Sequence, residues 1–393
     1  MTRVADPGTA LPKFLWVLAL GNLVVGTGAF VIGGMIEPLA QSLQISLAKA
    51  GQLMTVYSVA TAVGGPLLII ATARWPRRTL MLTAMALIVA ANIASALASS
   101  FAALAWARVF MAIGGGVFTP ATAAVAVATV GPERRGKALS TTFSGVSFAY
   151  IVGVPFGTYA AYRFGWPVAF WAVAAAGIVA ISMLSKAPAG ITSPPGDLGA
   201  FGRVFRSPRS MGSLSITLVY FAAIFTVFSY VGAYLREYAG VSPAGLSTLL
   251  TAFGLAALGG TFAGGYCSDR FGPTRTLYSI CALFCTVLSL MWLLPGRTLA
   301  LSVLFMIWGA IGFGLMSAQQ TRLVSMAPGD ATVLLTLNSA MIFLGTALGA
   351  VIGGALLTLT GAYRPLLLGA LLLMVLAAIL IALTEPRRAA PGC

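Results

Sequence analysis

Apolar stretches recur along the whole chain, and short polar or basic segments separate them. An α-helix needs about 20 apolar residues to cross the hydrocarbon core of a bilayer, and each stretch has about that length. The pattern predicts an all-α membrane protein with twelve transmembrane helices. The predicted spans are residues 14–36, 48–72, 79–98, 102–127, 137–160, 166–185, 213–234, 246–267, 276–294, 299–321, 332–356 and 361–384.

One polar break is much longer than the others. Residues 186–212 are rich in Pro, Gly, Ser and Arg, a composition typical of a linker. Six predicted helices precede this linker and six follow it, so we expect two pseudo-symmetric six-helix bundles, at residues 1–185 and 213–393. Two related bundles with a site between them near mid-membrane are the general plan of secondary transporters.

The composition excludes a soluble globular protein. Hydrophobic residues make up 59% of the chain and charged residues 8%, whereas about 25% of the residues in a soluble domain are charged. The net charge of +15 does not indicate nucleic-acid binding, because most basic residues fall on one side of the predicted spans, as the positive-inside rule requires. This distribution predicts that both termini and the linker are cytoplasmic. The basic clusters lie at residues 74–78, 134–137, 203–209 and 387–388.

Residues suited to catalysis or metal binding are scarce. The chain has no histidine, and none of its four cysteines forms a Cys-x-x-Cys pair. Cys281 and Cys285 are one helical turn apart, which indicates membrane packing rather than a metal site or a disulfide. No phosphate-binding glycine loop and no paired carboxylates occur in a predicted span. We therefore expect no enzyme activity, no metal and no cofactor.

Two turns at equivalent places in the two halves share a pattern. The stretch "GGTFAGGYCSDRFGPTRTL" follows the second span of the second half, and "GGPLLIIATARWPRRTL" follows the second span of the first half. Both carry small residues, then basic residues, then Thr-Leu. The first copy has Ile69 and Ala73 where the second has Gly265 and Asp269. The two stretches are copies of one ancestral turn.

The second copy resembles the loop motif of the major facilitator superfamily. The matching residues are Gly265, Asp269, Arg270, Gly272 and Arg275, and the first copy retains Arg74, Arg77 and Arg78. The resemblance implies a cytoplasmic gate, in which the glycine lets two helices approach closely and the aspartate bonds to arginine or to a helix N-terminus in one state. The alternative is that these residues only cap a turn and obey the positive-inside rule.

Two further stretches extend the resemblance. The fourth span contains "ARVFMAIGGGVFTPA", similar to the family's arginine motif, with Arg108 as the arginine. The fifth contains "GVSFAYIVGVPFGTY", which is similar to the Gly-Pro-Gly signature of exporters. Its matching residues are Gly145, Gly153, Pro155 and Gly157. The chain most resembles the twelve-helix drug, sugar and nucleoside efflux branch, with arabinose-efflux-like and chloramphenicol-resistance-like members. That implies a monomer in the bacterial inner membrane.

Arg108 and Glu37 are the two charged residues that we assign to proton coupling. A charge at the depth of Arg108 costs about 2.5–3.5 kcal/mol, so it should face a wet cavity or a partner. Glu37 is the one carboxylate outside loops and tails. In the family that this sequence resembles, the first and fourth helices line the cavity. We expect a Glu37–Arg108 relation. The alternatives are an arginine that snorkels to the interface and a solvated glutamate. Ala29 stands where many proton antiporters of this family have an acid, which leaves proton coupling open.

The remaining candidates for a substrate cavity are uncharged. They lie on helices that line the cavity in the resembling family, where buried amides and phenols need water or a ligand as partner. Hydrogen bonds between helices are the alternative role for each of them. The candidates are Asn22, Tyr150, Tyr220, Phe228, Tyr230, Trp308, Gln319, Gln320, Asn338 and Phe343.

The function expected from these features is export of a small neutral or amphipathic solute by alternating access, with protons moving the other way. So few charges inside the membrane argue against cationic or multiply anionic substrates. The alternatives are an uncoupled facilitator or importer of a small metabolite, and a receptor or scaffold without transport. The expected partners are a small-molecule substrate, protons and the lipid bilayer.

Overall fold

The computed structural model describes residues 12–72, 74–130, 134–186 and 198–385. Fifteen helices fill most of these ranges. A π-helical turn, Ala149–Gly153, joins α5 to α6, and a short 3-10 turn, Pro328–Asp330, precedes α14. The helices are α1 Phe14–Ser42, α2 Leu47–Ala71, α3 Arg77–Ala96, α4 Phe101–Ala128, α5 Arg135–Phe148, α6 Val154–Phe164, α7 Pro167–Leu184, α8 Leu198–Arg206, α9 Pro208–Phe228, α10 Val231–Ala239, α11 Pro243–Phe271, α12 Pro273–Leu293, α13 Thr298–Met326, α14 Ala331–Thr360 and α15 Arg364–Leu383.

The prediction of twelve spans is confirmed by this helix order. Among the described residues, eleven segments are long and apolar enough to cross a membrane, with α5, the π turn and α6 counted as one. The twelfth predicted span corresponds to α2, a helix of 25 residues. The helix α10 continues the seventh span beyond α9.

Two spans bend where proline interrupts their hydrogen bonds. In α1, Met35 has non-helical backbone angles (φ −113°, ψ 19°) and lies three residues before Pro38. In the fifth span, the π turn ends at Gly153, two residues before Pro155. Proline lacks the backbone N–H that an α-helix uses and its ring clashes with the carbonyl four residues earlier, so the chain bends or widens there.

The two halves repeat one packing scheme. In the first half α1 packs on α5, and α3 packs on α4 and α7; in the second half α9 packs on α14, and α12 packs on α13 and α15. The predicted pair of pseudo-symmetric bundles is confirmed by this repetition. Lipid tails are as apolar as the helix surfaces, so the hydrophobic effect adds little to helix association in a membrane. Close packing of backbones at small residues therefore holds the helices together.

Part of the predicted linker is helical. The helix α8 buries Val204 in a cluster with Leu323 and Leu334, and Arg203 forms an ion pair with Asp330 at 2.7 Å. The next helix, α9, begins at Pro208, before the predicted linker ends. The rest of the predicted linker, residues 187–197, lies outside the described residues. The bundle boundaries themselves stay a prediction.

Candidate functional site

The two halves meet tightly at one end of the molecule. We call the end that contains the α1–α2 turn the closed end, and the end that contains the α11–α12 turn the open end. At the closed end, a Cβ on Gly232 of α10 would lie 3.1 Å from the carbonyl oxygen of Gly34 of α1. The ring of Tyr230 fills the space beside Gly51 of α2, while its hydroxyl donates to the carbonyl of Ala350 at 2.8 Å. Backbone therefore approaches backbone across this interface.

An ion pair joins the halves at the closed end. Glu37 Oε2 lies 2.9 Å from Arg236 Nη1 of the other half and accepts a hydrogen bond from the Tyr162 hydroxyl at 2.8 Å. The Arg236 guanidinium also lies over the Tyr162 ring, 5.1 Å from its centroid. The Glu37 side chain is 19% exposed and that of Arg236 36%. We call the contact between Glu37 and Arg236, together with the Tyr162 hydrogen bond, the closed-end ion pair.

The expected relation between Glu37 and Arg108 is wrong for this arrangement. Arg108 is fully buried and donates hydrogen bonds to the carbonyls of Gly28 and Ala29 on α1. Its guanidinium lies over the Tyr57 ring, 4.5 Å from the centroid. Ala29 and Glu37 are about eight residues apart, or roughly 12 Å along a helix. Arg108 is therefore neither snorkelling nor paired with a described carboxylate, because its guanidinium bonds to backbone carbonyls and lies over an aromatic face, while its Nε makes no hydrogen bond to a described residue.

Aromatic side chains from both halves enclose a small cavity of about 10 Å³ near the middle of the spans, so a solute has to displace side chains to enter it. Tyr150 stacks on Phe30 with ring centroids 5.0 Å apart, and it contacts Phe313 and Phe228 of the other half at 5.1 and 6.4 Å. No charged side chain lines the cavity. Its lining consists of Tyr150, Phe221, Ile224, Phe225, Phe228, Phe253, Trp308, Gly312 and Phe313.

The cavity depends on a close approach of α11 to the π turn. A Cβ at Gly254 of α11 would lie 2.7 Å from the carbonyl carbon and oxygen of Tyr150. Next to it, Ser247 donates a hydrogen bond to the carbonyl of Pro155 at 2.8 Å. The π turn thus presents Tyr150 to the other half, while its widened backbone contacts α11.

Four predicted cavity residues have partners inside one half. The Asn22 amide donates to the Thr122 hydroxyl and to the carbonyls of Leu18 and Thr142. The Tyr220 hydroxyl donates to the carbonyl of Gly312 at 3.1 Å. The remaining two contacts are Gln319 Nε2 to the Ser213 carbonyl and the Thr217 hydroxyl to Asn338 Oδ1. These four side chains hold helices together in this arrangement and do not line the aromatic cavity.

The other predicted cavity residues lie at the interface. Phe228 and Trp308 line the cavity with Tyr150, Tyr230 packs beside Gly51 of the other half, and Phe343 contacts Tyr57 across the halves with centroids 6.2 Å apart. Gln320 is exposed and follows Phe313 by two turns on the same face of α13. It therefore lines the approach to the cavity from the open end.

Asp269 and Arg270 of the open-end motif form no hydrogen bond or ion pair with a described residue of the first half. Asp269 is exposed and forms no ion pair with a described residue. Arg270 donates to the Tyr266 hydroxyl on its own helix, and Gly272 ends α11 with φ +85°. Arg74 and Arg275 are exposed, Arg77 is buried, and Arg78 donates to the Ser185 carbonyl. Ala73 lies outside the described residues.

The close helix approach expected of Gly265 occurs elsewhere on α11. A Cβ at Gly265 would find ordinary space, 3.7 Å from the nearest side-chain atom, whereas one at Gly260 or Gly264 would clash with the backbone of α13. The glycines of the fifth-span signature pack against α1: Gly145 faces Ala19, Gly153 faces Thr27 and Gly157 faces Val31. They bring α1 close to the fifth span.

Arg236, Tyr162 and Phe30 were missed as functional candidates. Arg236 and Tyr162 lie beyond the predicted ends of the seventh and fifth spans, so the sequence assigns them to loops. The available signal was the rarity of charge: Glu37 needed a basic partner, and Arg236 ends a span at the same predicted side. Among the described residues, no group of three His, Cys, Asp or Glu side chains could hold a metal ion.

Comparisons with known proteins agree with this architecture. A model of the Major Facilitator Superfamily matches residues 18–333 and 213–392. The chain is 30% identical over 378 residues to the uncharacterized MFS-type transporter YbcL of Bacillus subtilis (strain 168). The alignment covers 95% of this chain and 97% of that protein. It is 29% identical over 371 residues to a chloramphenicol resistance protein of Streptomyces lividans, with coverage of 93% and 94%.

A solved structure shows the same fold. It is a bacterial homolog of the human lysosomal transporter Spinster, in an inward-facing and unoccupied conformation. The TM-score is 0.75 at 19% sequence identity, and the match covers 94% of this chain and 96% of that chain. At this identity the likeness shows the twelve-helix fold.

Proposed function

The chain belongs to the major facilitator superfamily of membrane transporters, and we propose that it exports a small neutral or amphipathic solute by alternating access. The observation that carries this proposal is the aromatic cavity between two halves that approach each other backbone to backbone and form an ion pair at the closed end. Uncharged rings favour an uncharged or amphipathic ligand, because no side chain in the cavity wall can neutralise a desolvated charge.

The proposed orientation places the open end in the cytoplasm. The basic clusters at residues 74–78, 134–137 and 203–209 lie at this end, and the positive-inside rule assigns them to the cytoplasmic side. In a bacterial inner membrane, both termini are then cytoplasmic, and the cavity takes up its solute from the cytoplasm. The relative named as a chloramphenicol resistance protein supports export over import.

The closed-end ion pair offers a route for proton coupling. Protonation of Glu37 removes its attraction for Arg236 and leaves a neutral group opposite a cation. A proton from outside thus weakens the contact that holds the halves together at that end, and its release restores the contact. The ion pair does not contact Arg108 or the aromatic cavity, and this separation favours the second candidate, an uncoupled facilitator or importer in which Glu37 only stabilises the closed end.

Glu37→Gln is expected to abolish proton-coupled transport while the protein stays folded. The amide keeps the shape of the side chain and loses its charge, so the proton-binding step disappears. The assay uses inside-out vesicles with an acid interior and a pH-sensitive dye, with chloramphenicol, uridine and arabinose added in turn. One compound should restore dye fluorescence with the wild-type protein and not with the variant.

Glu237→Gln is the matched control for this assay. Glu237 follows Arg236 directly and is exposed, so its substitution should leave the dye signal unchanged. A signal from Glu37→Gln equal to that of the wild type would exclude Glu37 as the proton carrier. Movement of labelled solute without any dye response in either protein would establish the uncoupled facilitator instead.

Asp269→Asn tests the proposed cytoplasmic gate. Asp269 forms no ion pair with a described residue in the present arrangement, so its contribution should come in the opposite state, where the open end closes. Losing one charge-assisted hydrogen bond of about 1.5–3 kcal/mol there lowers transport about tenfold or more. The thermal midpoint of the purified protein should stay within about 1 °C of wild type. A midpoint that falls while transport persists would assign Asp269 to turn capping alone.

A further inference from the structure

The indole N–H of Trp308 is a buried donor without a protein acceptor. Trp308 is fully buried and lines the aromatic cavity, yet its Nε1 makes no hydrogen bond to a described residue. Two other donors of this half differ from it: the hydroxyls of Tyr220 and Tyr230 each bond to a backbone carbonyl. Buried indole N–H groups usually have a partner, so this one is available to a ligand.

Beside the edge of the buried indole, residue 312 is a glycine and places no side chain against the N–H. Gly312 follows Trp308 by one helical turn and also lines the cavity. A Cβ at this position would lie 3.7 Å from Trp308 Nε1 and 3.4 Å from Cδ1, in ordinary contact. Alanine therefore fits here without a clash and would partly cover the donor.

The rest of the cavity wall presents ring faces and edges. Phe253 packs edge-to-face with Trp308 at 6.5 Å between centroids and with Phe313 at 6.3 Å. Tyr150 and Phe228 meet edge-to-face at 6.4 Å. A flat ring that enters between these side chains replaces one set of aromatic contacts with another, each favourable in stacked or edge-to-face geometry.

We propose that the transported solute is an uncharged aromatic molecule that carries a hydrogen-bond acceptor, and that Trp308 Nε1–H donates to that acceptor. The assignment rests on the proposed transport of a neutral solute and narrows it, because it excludes sugars, which lack an aromatic ring. A ring without an acceptor that enters between these side chains leaves the buried donor unpaired, so Trp308 selects between rings of equal shape.

Two probes of nearly equal shape test the role of Trp308. 4-Nitrotoluene and 4-isopropyltoluene share a methyl-substituted ring, and only the nitro compound has hydrogen-bond acceptor oxygens. Binding of each probe to the purified full-length protein in nanodiscs is measured by calorimetry. The variants are Trp308→Phe, Gly312→Ala and, as control, Trp166→Phe, whose indole packs on Phe170 and does not line the cavity.

For Trp308→Phe, the affinity for the nitro compound should fall about 3- to 10-fold, the range for one lost hydrogen bond, while the affinity for the isopropyl compound stays the same. Gly312→Ala should shift the ratio of the two affinities in the same direction, and Trp166→Phe should keep the wild-type ratio. An unchanged ratio in Trp308→Phe would overturn the role of the indole. Failure of the wild type to bind either probe would overturn the aromatic class, and export of a sugar would then leave the proposed export standing.

Discussion

Replacing Arg108 with methionine is expected to lower transport about 100-fold. The guanidinium donates to the carbonyls of Gly28 and Ala29, and hydrogen bonds from a charged donor contribute about 1.5–3 kcal/mol each. Methionine has a similar length and no donor, so two buried interactions between α4 and α1 are lost. The fraction of molecules in which α1 stays packed beside the cavity falls accordingly. Uptake of labelled solute into inside-out vesicles, normalised to the amount of protein, measures the effect.

Lysine at position 108 should not restore transport. Arg108 reaches two carbonyls at once with a planar fork and stacks on Tyr57, whereas an ammonium is a point charge that does neither. Arg163→Met, at an exposed position near the end of α6, is the control and should transport at the wild-type rate. Full activity of Arg108→Lys would show that charge alone matters at this site and that the fixed geometry does not.

Gly254→Val is expected to abolish transport while the protein still inserts and folds. A Cβ at this position would lie 2.7 Å from the backbone of Tyr150, and a backbone atom cannot move aside as a flexible side chain can. The clash falls between the two halves, not within one, so each bundle keeps its own packing. The halves are then held apart, the closed end cannot form, and transport should fall about 100-fold or more, the factor for about 3 kcal/mol.

Gly259→Val provides the matched control on the same helix. A Cβ at Gly259 would have no neighbour within 4 Å, so this variant should transport normally. Spin labels at Gln41 and Arg297, both exposed at the closed end, report the distance between the halves in a protein without native cysteines. Gly254→Val should lengthen that distance and Gly259→Val should not. An unchanged distance in Gly254→Val together with lost transport would place the defect in the cavity instead.

The motif at the open end identifies the residues of the proposed gate but not their partners. Gly265, Asp269 and Arg270 identify the turn, and their order follows from the resemblance. Their partners depend on the state of the molecule: in the present arrangement Asp269 is exposed, and Gly260 and Gly264 make the close approach to α13 instead. A motif names residues that act in at least one state, and a single arrangement shows the contacts of only that state.

The sequence by itself determined the membrane class, the twelve helices, the two bundles and the family. Span length is a local property, set by the thickness of the bilayer and by the need to satisfy every backbone group within the span, so apolar runs report it directly. The kink before Pro38 and the widened turn before Pro155 are equally local, because one missing N–H causes each.

Only the tertiary structure decided which side chains share a site. In a membrane helix both the lipid-facing side and the core-facing side are apolar, so periodicity does not tell which face lines a cavity. Asn22 and Tyr150 were equal candidates, yet one bonds inside its bundle and the other faces the opposite half. Glu37 pairs with Arg236, a residue of the other half, because the halves close against each other there. Such pairings depend on how two bundles meet, and no single stretch of sequence contains that information.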